Sequence, residues 1–329
     1  MMPTLTFACG RTDRTQALFD GTVSVAGCGL AMLALPPSEI FPRALNRAEF
    51  DICELSASSY LVQVSRGTSE YVALPVFLSR SFRLDAVYIR TDRGIASPGD
   101  LAGRRVGTPE FQMTAGLWVR GILQDRYGLD PRSMKHVTGG LNSPGRKERI
   151  RIEPGPGFDI TPAGDGDTLN AMLARGDIDA VIAPEPPSCW RDGSAPVIRL
   201  FPDDRAAALS YFADTGIHPI MHLVAVRRAV LERIPGLASR LFDALVEARN
   251  AGYRRLEQMA TGPTLALMLP FLASELEATR RAMGDDYWPY GIAANRPALE
   301  ALCRYSVEQS LSAQPVAPMD LFATELAST

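Results

Sequence analysis

The chain has 329 residues, 46% hydrophobic and 22% charged, with 37 acidic against 34 basic side chains and a net charge of −3. That length supports one large or two medium cores. The charge balance excludes a basic field for nucleic acid, and no apolar run reads as a membrane span.

In chain order, Leu5–Ala8 reads as a first strand and Cys9–Arg14 as the loop leaving it, with Asp13 placed to cap a helix over Arg14–Phe19. A second strand spans Leu30–Leu35. A helix capped by Ser38 then runs to Asn46, with Pro42 in its tolerant first turn. Phe50–Leu55 is a third strand, and Ser56-Ala-Ser-Ser-Tyr60 opens the next helix. Tyr71–Leu78 is a continuous apolar run, as in a strand covered on both faces.

Ser79–Arg90 alternates polar and apolar residues, the pattern of an extended crossing between two lobes. Gly216–Val226 reads as a second crossing. Between them, Arg105-Val-Gly-Thr-Pro109 forms a strand and tight turn that leads into a helix with apolar Met113, Leu117, Val119, Ile122 and Leu123. This unit presents backbone N–H groups and a positive helix end at the edge of a parallel sheet, where ligands of open α/β sheets bind. The stretch 138–167, dense in Gly and Pro with a charged patch at Arg146–Arg151, reads as loop, and His136 as a surface residue. Thr168–Ala174 is a helix and Ile178–Ala183 a strand; Arg228–Glu232, Gly236–Leu256, Thr264–Met283 and Pro297–Ser310 are helical. The pattern predicts a discontinuous first lobe (1–85 and 223–329), an inserted second lobe (86–222), and a ligand cleft between them that closes by hinge motion.

The five cysteines, Cys9, Cys28, Cys53, Cys189 and Cys303, are odd in number, scattered and never in Cys-x-x-Cys spacing. This argues against a disulfide framework or zinc knuckle and for a reducing compartment. With an N-terminus that lacks a basic segment followed by a long apolar one, it predicts a cytoplasmic protein. Cys9 reads as a small buried hydrophobe rather than a nucleophile.

Several motifs carry a resemblance: Ala8-Cys-Gly10, Asp13-Arg-Thr15, Phe50–Tyr60, Pro109-Glu-Phe-Gln-Met-Thr114, Thr138-Gly-Gly140, Gly145-Arg146, Pro219-Ile-Met-His222 and Met283-Gly-Asp-Asp-Tyr-Trp-Pro-Tyr-Gly291. From end to end the chain resembles the 4,5-dihydroxyphthalate decarboxylase family. The resemblance implies an α/β, two-lobed type II periplasmic-binding-protein-like fold, each lobe a mostly parallel sheet flanked by helices. It also implies loss of one carboxylate from 4,5-dihydroxyphthalate to give protocatechuate, without an organic cofactor. The substrate class is a small aromatic carboxylate. No nucleic acid or membrane partner is expected, and the helical C-terminal half suggests a homo-oligomer. The rival readings are a solute-binding or sensor protein of the same fold and another enzyme on it, such as a chorismate dehydratase or a thiamine-pyrimidine synthase. The clustered cysteine motif of the last is absent.

Decarboxylating an aromatic ring is easiest when the carbon bearing the carboxylate is first protonated, with a para hydroxyl as electron source. A general acid is therefore needed, with a cation for the carboxylate that stays and apolar surroundings for the one that leaves. His222 is the first choice for the acid and His218 the second, since two of the three histidines lie on one crossing and residues four apart on a strand share a face. Glu110 is placed to accept a phenol proton, or to complement the helix dipole. Arg11, Arg14, Arg80, Arg83 and Arg146 are candidate carboxylate clamps. Ser56, Ser58 and Ser59 offer hydroxyls and a helix N-terminus, and Gln112 and Thr114 sit at the opposing turn. Phe77, Phe82, Phe111 and Trp288 are candidate apolar walls. No ligand spacing identifies a metal site; a divalent ion on both histidines with Glu185 or Glu110 stays open as an alternative.

Overall fold

Two β-sheets organise the computed structural model, which describes residues 3–263 and 267–329. The chain opens with β1 (Thr4–Cys9), α1 (Gln16–Phe19), β2 (Gly29–Ala34), α2 (Pro37–Arg47), β3 (Ile52–Ser56), α3 (Ala57–Ser65) and β4 (Tyr71–Arg80). It crosses into β5 (Val87–Arg90), β6 (Arg105–Thr108), α4 (Thr114–Tyr127), β7 (Lys135–Thr138), β8 (Asp159–Pro162), α5 (Leu169–Arg175), β9 (Ala180–Ile182), α6 (Ser188–Arg191), β10 (Val197–Arg199) and α7 (Asp204–Thr215). It returns through β11 (Ile220–Arg227) and ends in α8 (Arg228–Arg233), α9 (Leu237–Thr261), α10 (Leu272–Met283) and α11 (Arg296–Glu308).

The first sheet has the order β2-β1-β3-β11-β4 and the second β10-β5-β9-β6-β7-β8. Each contains one strand that runs against the rest, β11 in the first and β5 in the second. These are the strands that receive the chain after a crossing. A chain leaving the C-terminal end of β4 enters the next sheet from the side facing the first, so it must run opposite to the parallel strands there. Both C-terminal sheet edges thus face one cleft. Pro75 lies within β4, where it is tolerated because β4 is an edge strand.

Several expectations are corrected. Residues 220–222 belong to the first sheet, with Ile220 opposite Arg80, so the return crossing ends before residue 220 and not at 222/223. The first crossing is not one extended strand: β4 stops at Arg80, and Arg83 turns at φ +60° into a 3-10 turn over Leu84–Ala86. Two short strands, β7 and β8, lie where the sequence reads as surface and loop, because four-residue strands leave almost no periodicity. The cap of α2 is Pro36 rather than Ser38, which places Pro42 beyond the first turn. Asp13 does not cap α1; Thr15 stands at that position. Of the predicted helix Thr264–Met283, residues 264–266 lie outside the described residues, and α10 begins at Leu272.

The lobes are also tied together more tightly than a hinge implies. One hydrophobic cluster runs from the first sheet through α4 to Val87, Val106 and Ile182 of the second. Trp118 on α4, fully buried, donates its indole N–H to the Ile220 carbonyl at 2.8 Å. Arg120, also fully buried, donates Nε–H to Gln309 Oε1 at 2.7 Å, and the Gln309 amide donates to the Leu117 carbonyl at 3.0 Å. Gly121 gives the Tyr305 ring its place, since a Cβ there would lie 2.3 Å from the ring.

Candidate active site

His222 and Glu54 meet at the cleft edge of the first sheet. His222 lies opposite Ser56 on β3 and Ser79 on β4, with register shifts on either side of it. Such an irregularity re-aims a side chain out of the strand's alternation. Its Nδ1 lies 2.7 Å from Glu54 Oε1, and the side chain remains 19% exposed. With Nδ1–H donating to the carboxylate, Nε2 is the nitrogen left for the cleft. Phe41 of α2 packs edge-on against the imidazole, with ring centroids 4.9 Å apart.

Glu54 is buried, and Gly10 N–H donates to its other oxygen at 2.9 Å. Burial alone would raise the carboxyl. The hydrogen bond and charge of His222, the Gly10 N–H and the charge of Arg14 outweigh it and hold Glu54 below the usual carboxylate range. Arg14 donates Nε–H to the Leu78 carbonyl, pairs with Asp13 at 2.7 Å, and lies over the Trp288 ring at 4.4 Å. Cys9, fully buried beside Glu54, has its thiol pushed up by burial and by that carboxylate, so it is no nucleophile.

The N-terminal ends of α3 and α4 meet directly across the cleft. Ser56 Oγ and Thr114 Oγ1 are 2.8 Å apart, Ser58 N–H donates to Thr114 Oγ1 at 3.1 Å, and Ser59 Oγ donates to Gln112 Oε1 at 2.7 Å. All five side chains are buried. Ser56 also caps α3 by accepting from Ser59 N–H. These hydroxyls therefore join the lobes and form the floor next to His222.

The other wall comes from the strap of residues 139–158 between β7 and β8. Glu110, 2% exposed, receives Arg146 (2.6 Å), Arg149 (2.8 Å), the Gln112 amide (2.7 Å) and Arg149 N–H (3.1 Å). Arg149 lies over the face of Phe41 at 5.1 Å, so one phenyl ring separates the strap's guanidinium from the imidazole of His222. Glu148 accepts from Phe111 N–H (2.5 Å) and Gln112 N–H (3.5 Å) ahead of α4.

The structure thus brings together His222, Arg14, Ser56, Ser58, Ser59, Gln112, Thr114, Glu110 and Arg146, and corrects the roles of several. Glu110 is saturated by the strap's donors, so it anchors the strap and is no free acceptor for a phenol proton. His218 precedes β11 and does not share a face with His222. It stacks on Phe82 (4.7 Å) and packs edge-on against Trp288, and burial pushes its pKa down to about 3. Arg80 is buried with its guanidinium donating to the His218 and Pro289 carbonyls and to Asn295. It pins the crossing rather than a ligand. Arg83 donates to the Pro184 carbonyl outside this cluster, and Arg11 is exposed, donating to Gln16. Phe111 is core, under Arg120 (3.9 Å) and against His136 and Phe158. Phe77 is fully buried core as well, while Trp288 flanks the cleft through Arg14, its indole N–H on the Phe77 carbonyl. His136 is 1% exposed and bonded to the Pro131 carbonyl, not a surface residue. The proposed metal set does not converge, and among the described residues no three His, Cys, Asp or Glu side chains form a metal-binding group.

Sequence reasoning missed Glu54, Phe41, Glu148 and Arg149. Glu54 had a signal: it is the one charge inside the strand Ile52-Cys-Glu-Leu-Ser56, all five residues of which are buried, and a buried charge demands a partner. Arg149 and Glu148 lie in the noted charged patch, but nothing local says which of its charges turn inward.

No family model matches the chain. A 4,5-dihydroxyphthalate decarboxylase of Comamonas testosteroni is 39% identical over 318 residues, covering 97% of this chain and 96% of that one. One of Pseudomonas putida is 43% identical over 208 residues, covering 63% and 81%. Among solved structures, the periplasmic aliphatic sulphonate binding protein SsuA of Escherichia coli superposes with a TM-score of 0.55 at 13% identity, covering 99% of each chain. A protein of Bordetella bronchiseptica does so with 0.51 at 16% identity, covering 98% of this chain and 95% of its own. At such identities the likeness shows the fold, that of a periplasmic binding protein.

Proposed function

The chain belongs to the 4,5-dihydroxyphthalate decarboxylase family, and on that premise we propose that it converts 4,5-dihydroxyphthalate to protocatechuate and CO2 in the cleft at His222. The observation that carries this reading is the His222–Glu54 pair: a buried carboxylate, held below the usual carboxylate range, accepts from Nδ1–H and orients the imidazole, leaving Nε2 for the substrate. The charged ring donates its proton to the carbon bearing the departing carboxylate, while the para hydroxyl supplies electron density and releases its proton to water. The C–C bond then breaks, its electron pair restores the aromatic ring, and CO2 leaves. The hydroxyl regains its proton, and the imidazole is recharged from solvent. Arg14, whose charge reaches Glu54, and Arg149, on the far side of the Phe41 ring from the imidazole, serve as guanidinium clamps for the carboxylate that stays. The Phe41 ring provides the poorly solvating surface that favours neutral CO2 over the anion.

The ties between α4 and α11 weigh against the solute-receptor alternative, which depends on lobes that open and close. We place the reaction in the cytoplasm. This is supported by five cysteines that are all free and buried. Purified protein incubated with 4,5-dihydroxyphthalate should release CO2 in step with protocatechuate. Absence of both products refutes the proposal.

A further inference from the structure

With the lobes joined by buried side chains of α4 and α11, a hinge is restrained, and a loop beside His222 is the element freer to move. The strap is that element. Glycines mark both its ends and its exposed middle. At Gly140 a Cβ would sit 1.7 Å from the Ser143 carbonyl oxygen, and Gly145 and Gly157 have φ of +82° and +85°. The back of the strap is fixed: Gly155 packs on Ser310 where a Cβ would come within 2.1 Å, and Arg66 donates to the Arg151 carbonyl at 2.9 Å. Residues 142–147 are exposed, and the strap's inward-facing ties near His222 are charged groups, Arg146 and Arg149 on Glu110 and Glu148 on the Phe111 and Gln112 N–H groups.

We infer that the strap is the gate of the site and Glu148 its latch: a side-chain carboxylate occupying the Phe111–Gln112 amide pair that a carboxylate of the bound aromatic diacid takes over. This deepens the proposed function and rests on its assignment of a diacid ligand. Three observations support it. The group on the amide pair is itself a carboxylate, the chemistry of the substrate. The amide pair adjoins Gln112 and Thr114, which bond to Ser59 and Ser56 beside His222. Arg120, fully buried, has Nη1 without a hydrogen-bond partner among the described residues, and its charge acts on the carboxylate of Glu148.

The charged groups facing Glu148 are Glu110 on the turn before α4 and Arg120 on α4, with Arg146 and Arg149 beside it on the strap. Burial, followed by the charge of Glu110, raises Glu148 to about 7 against the lowering pull of the two N–H groups and Arg120. The latch therefore competes as an anion above that pH and weakens below it.

The test is calorimetric binding of phthalate between pH 6 and 8. Phthalate lacks the para hydroxyl and is not turned over, so the measurement stands even if decarboxylation is never observed. Glu148→Gln is expected to bind phthalate about 3- to 10-fold more tightly than the parent at pH 8, a gain of roughly 1 kcal/mol by the standard conversion. The two should converge at pH 6, and Glu153→Gln, which removes an exposed carboxylate of the same strap, should leave affinity unchanged. Equal or weaker binding by Glu148→Gln, a pH dependence that persists in it, or no phthalate binding by either protein overturns the inference.

Discussion

The Nδ1 atom of His222 lies 2.7 Å from Glu54 Oε1, and that single contact decides which imidazole nitrogen can serve a substrate. Replacing His222 by Gln should lower kcat by about 10²- to 10⁴-fold, the usual worth of a positioned proton donor, with phthalate binding retained. Glu54→Gln should lower kcat with little change in KM, because a neutral amide holds the imidazole less firmly in the orientation that turns Nε2 to the substrate. CO2 release followed from pH 5 to 9 checks both; an unchanged kcat in His222→Gln removes it from the mechanism.

Arg149 is the strap's inward cation, one ring away from His222. Arg149→Ala should raise KM by about 10- to 100-fold, in keeping with a charge-assisted bond of roughly 1.5–3 kcal/mol. Arg149→Lys should recover little of it, because an ammonium group cannot present the planar fork. Steady-state kinetics of both variants decide it.

Arg80 belongs to the scaffold. Arg80→Met strips donors from the His218 and Pro289 carbonyls and from Asn295. Unpaired buried acceptors of this kind cost about 1–3 kcal/mol each, so the urea midpoint should fall sharply while kcat per folded molecule stays within about twofold of the parent. A selective loss of kcat with unaltered stability would return Arg80 to the active site.

Gly121→Ala tests the interlobe tie. Its Cβ would fall 2.3 Å from the Tyr305 ring, and overpacking of this kind costs about 1–3 kcal/mol, more than the roughly 1 kcal/mol that Ala gains over Gly in a helix. Denaturant unfolding should show net destabilisation; a stabilised variant would mean that α4 and α11 separate easily.

Acid stability should depend on His136. Burial, with the charge of Arg120, pushes it down to about 4 against the pull of the Pro131 carbonyl. The unfolded chain therefore binds a proton that the folded one refuses between pH 6.5 and about 4, and stability falls as pH drops through that window, by about 3 kcal/mol in all. His136→Gln should flatten the fall. An unchanged acid unfolding curve would show that another group sets it.

Much of this protein is legible in its residues taken in order. The continuous apolar run of β4, the capped hydroxyl cluster at Ser56 and the strand-turn-helix at Arg105–Leu123 define two lobes and the cleft edge without any contact being known, because strand and helix periodicities and caps are local properties of the chain. His222 stands out because its type is scarce and suits proton transfer near neutrality. Four-residue strands such as β7 and β8 escape, having too few residues to show a period.

What tertiary structure alone decided is the sorting of like side chains into different roles. Arg80 and Arg14 read alike as carboxylate clamps and Arg149 as one charge of a loop patch; only the fold buries the first among carbonyls, stacks the second on Trp288 and brings the third to Phe41. His218 and His222 are four apart, and the alternation expected between them fails because β11 begins after the first and shifts register at the second. Glu110 and Glu148 lie 38 residues apart in sequence, and their meeting at the foot of α4 depends on where the strap comes to rest. Burial and charge pairing depend on the distances between segments remote along the chain, which no local pattern encodes.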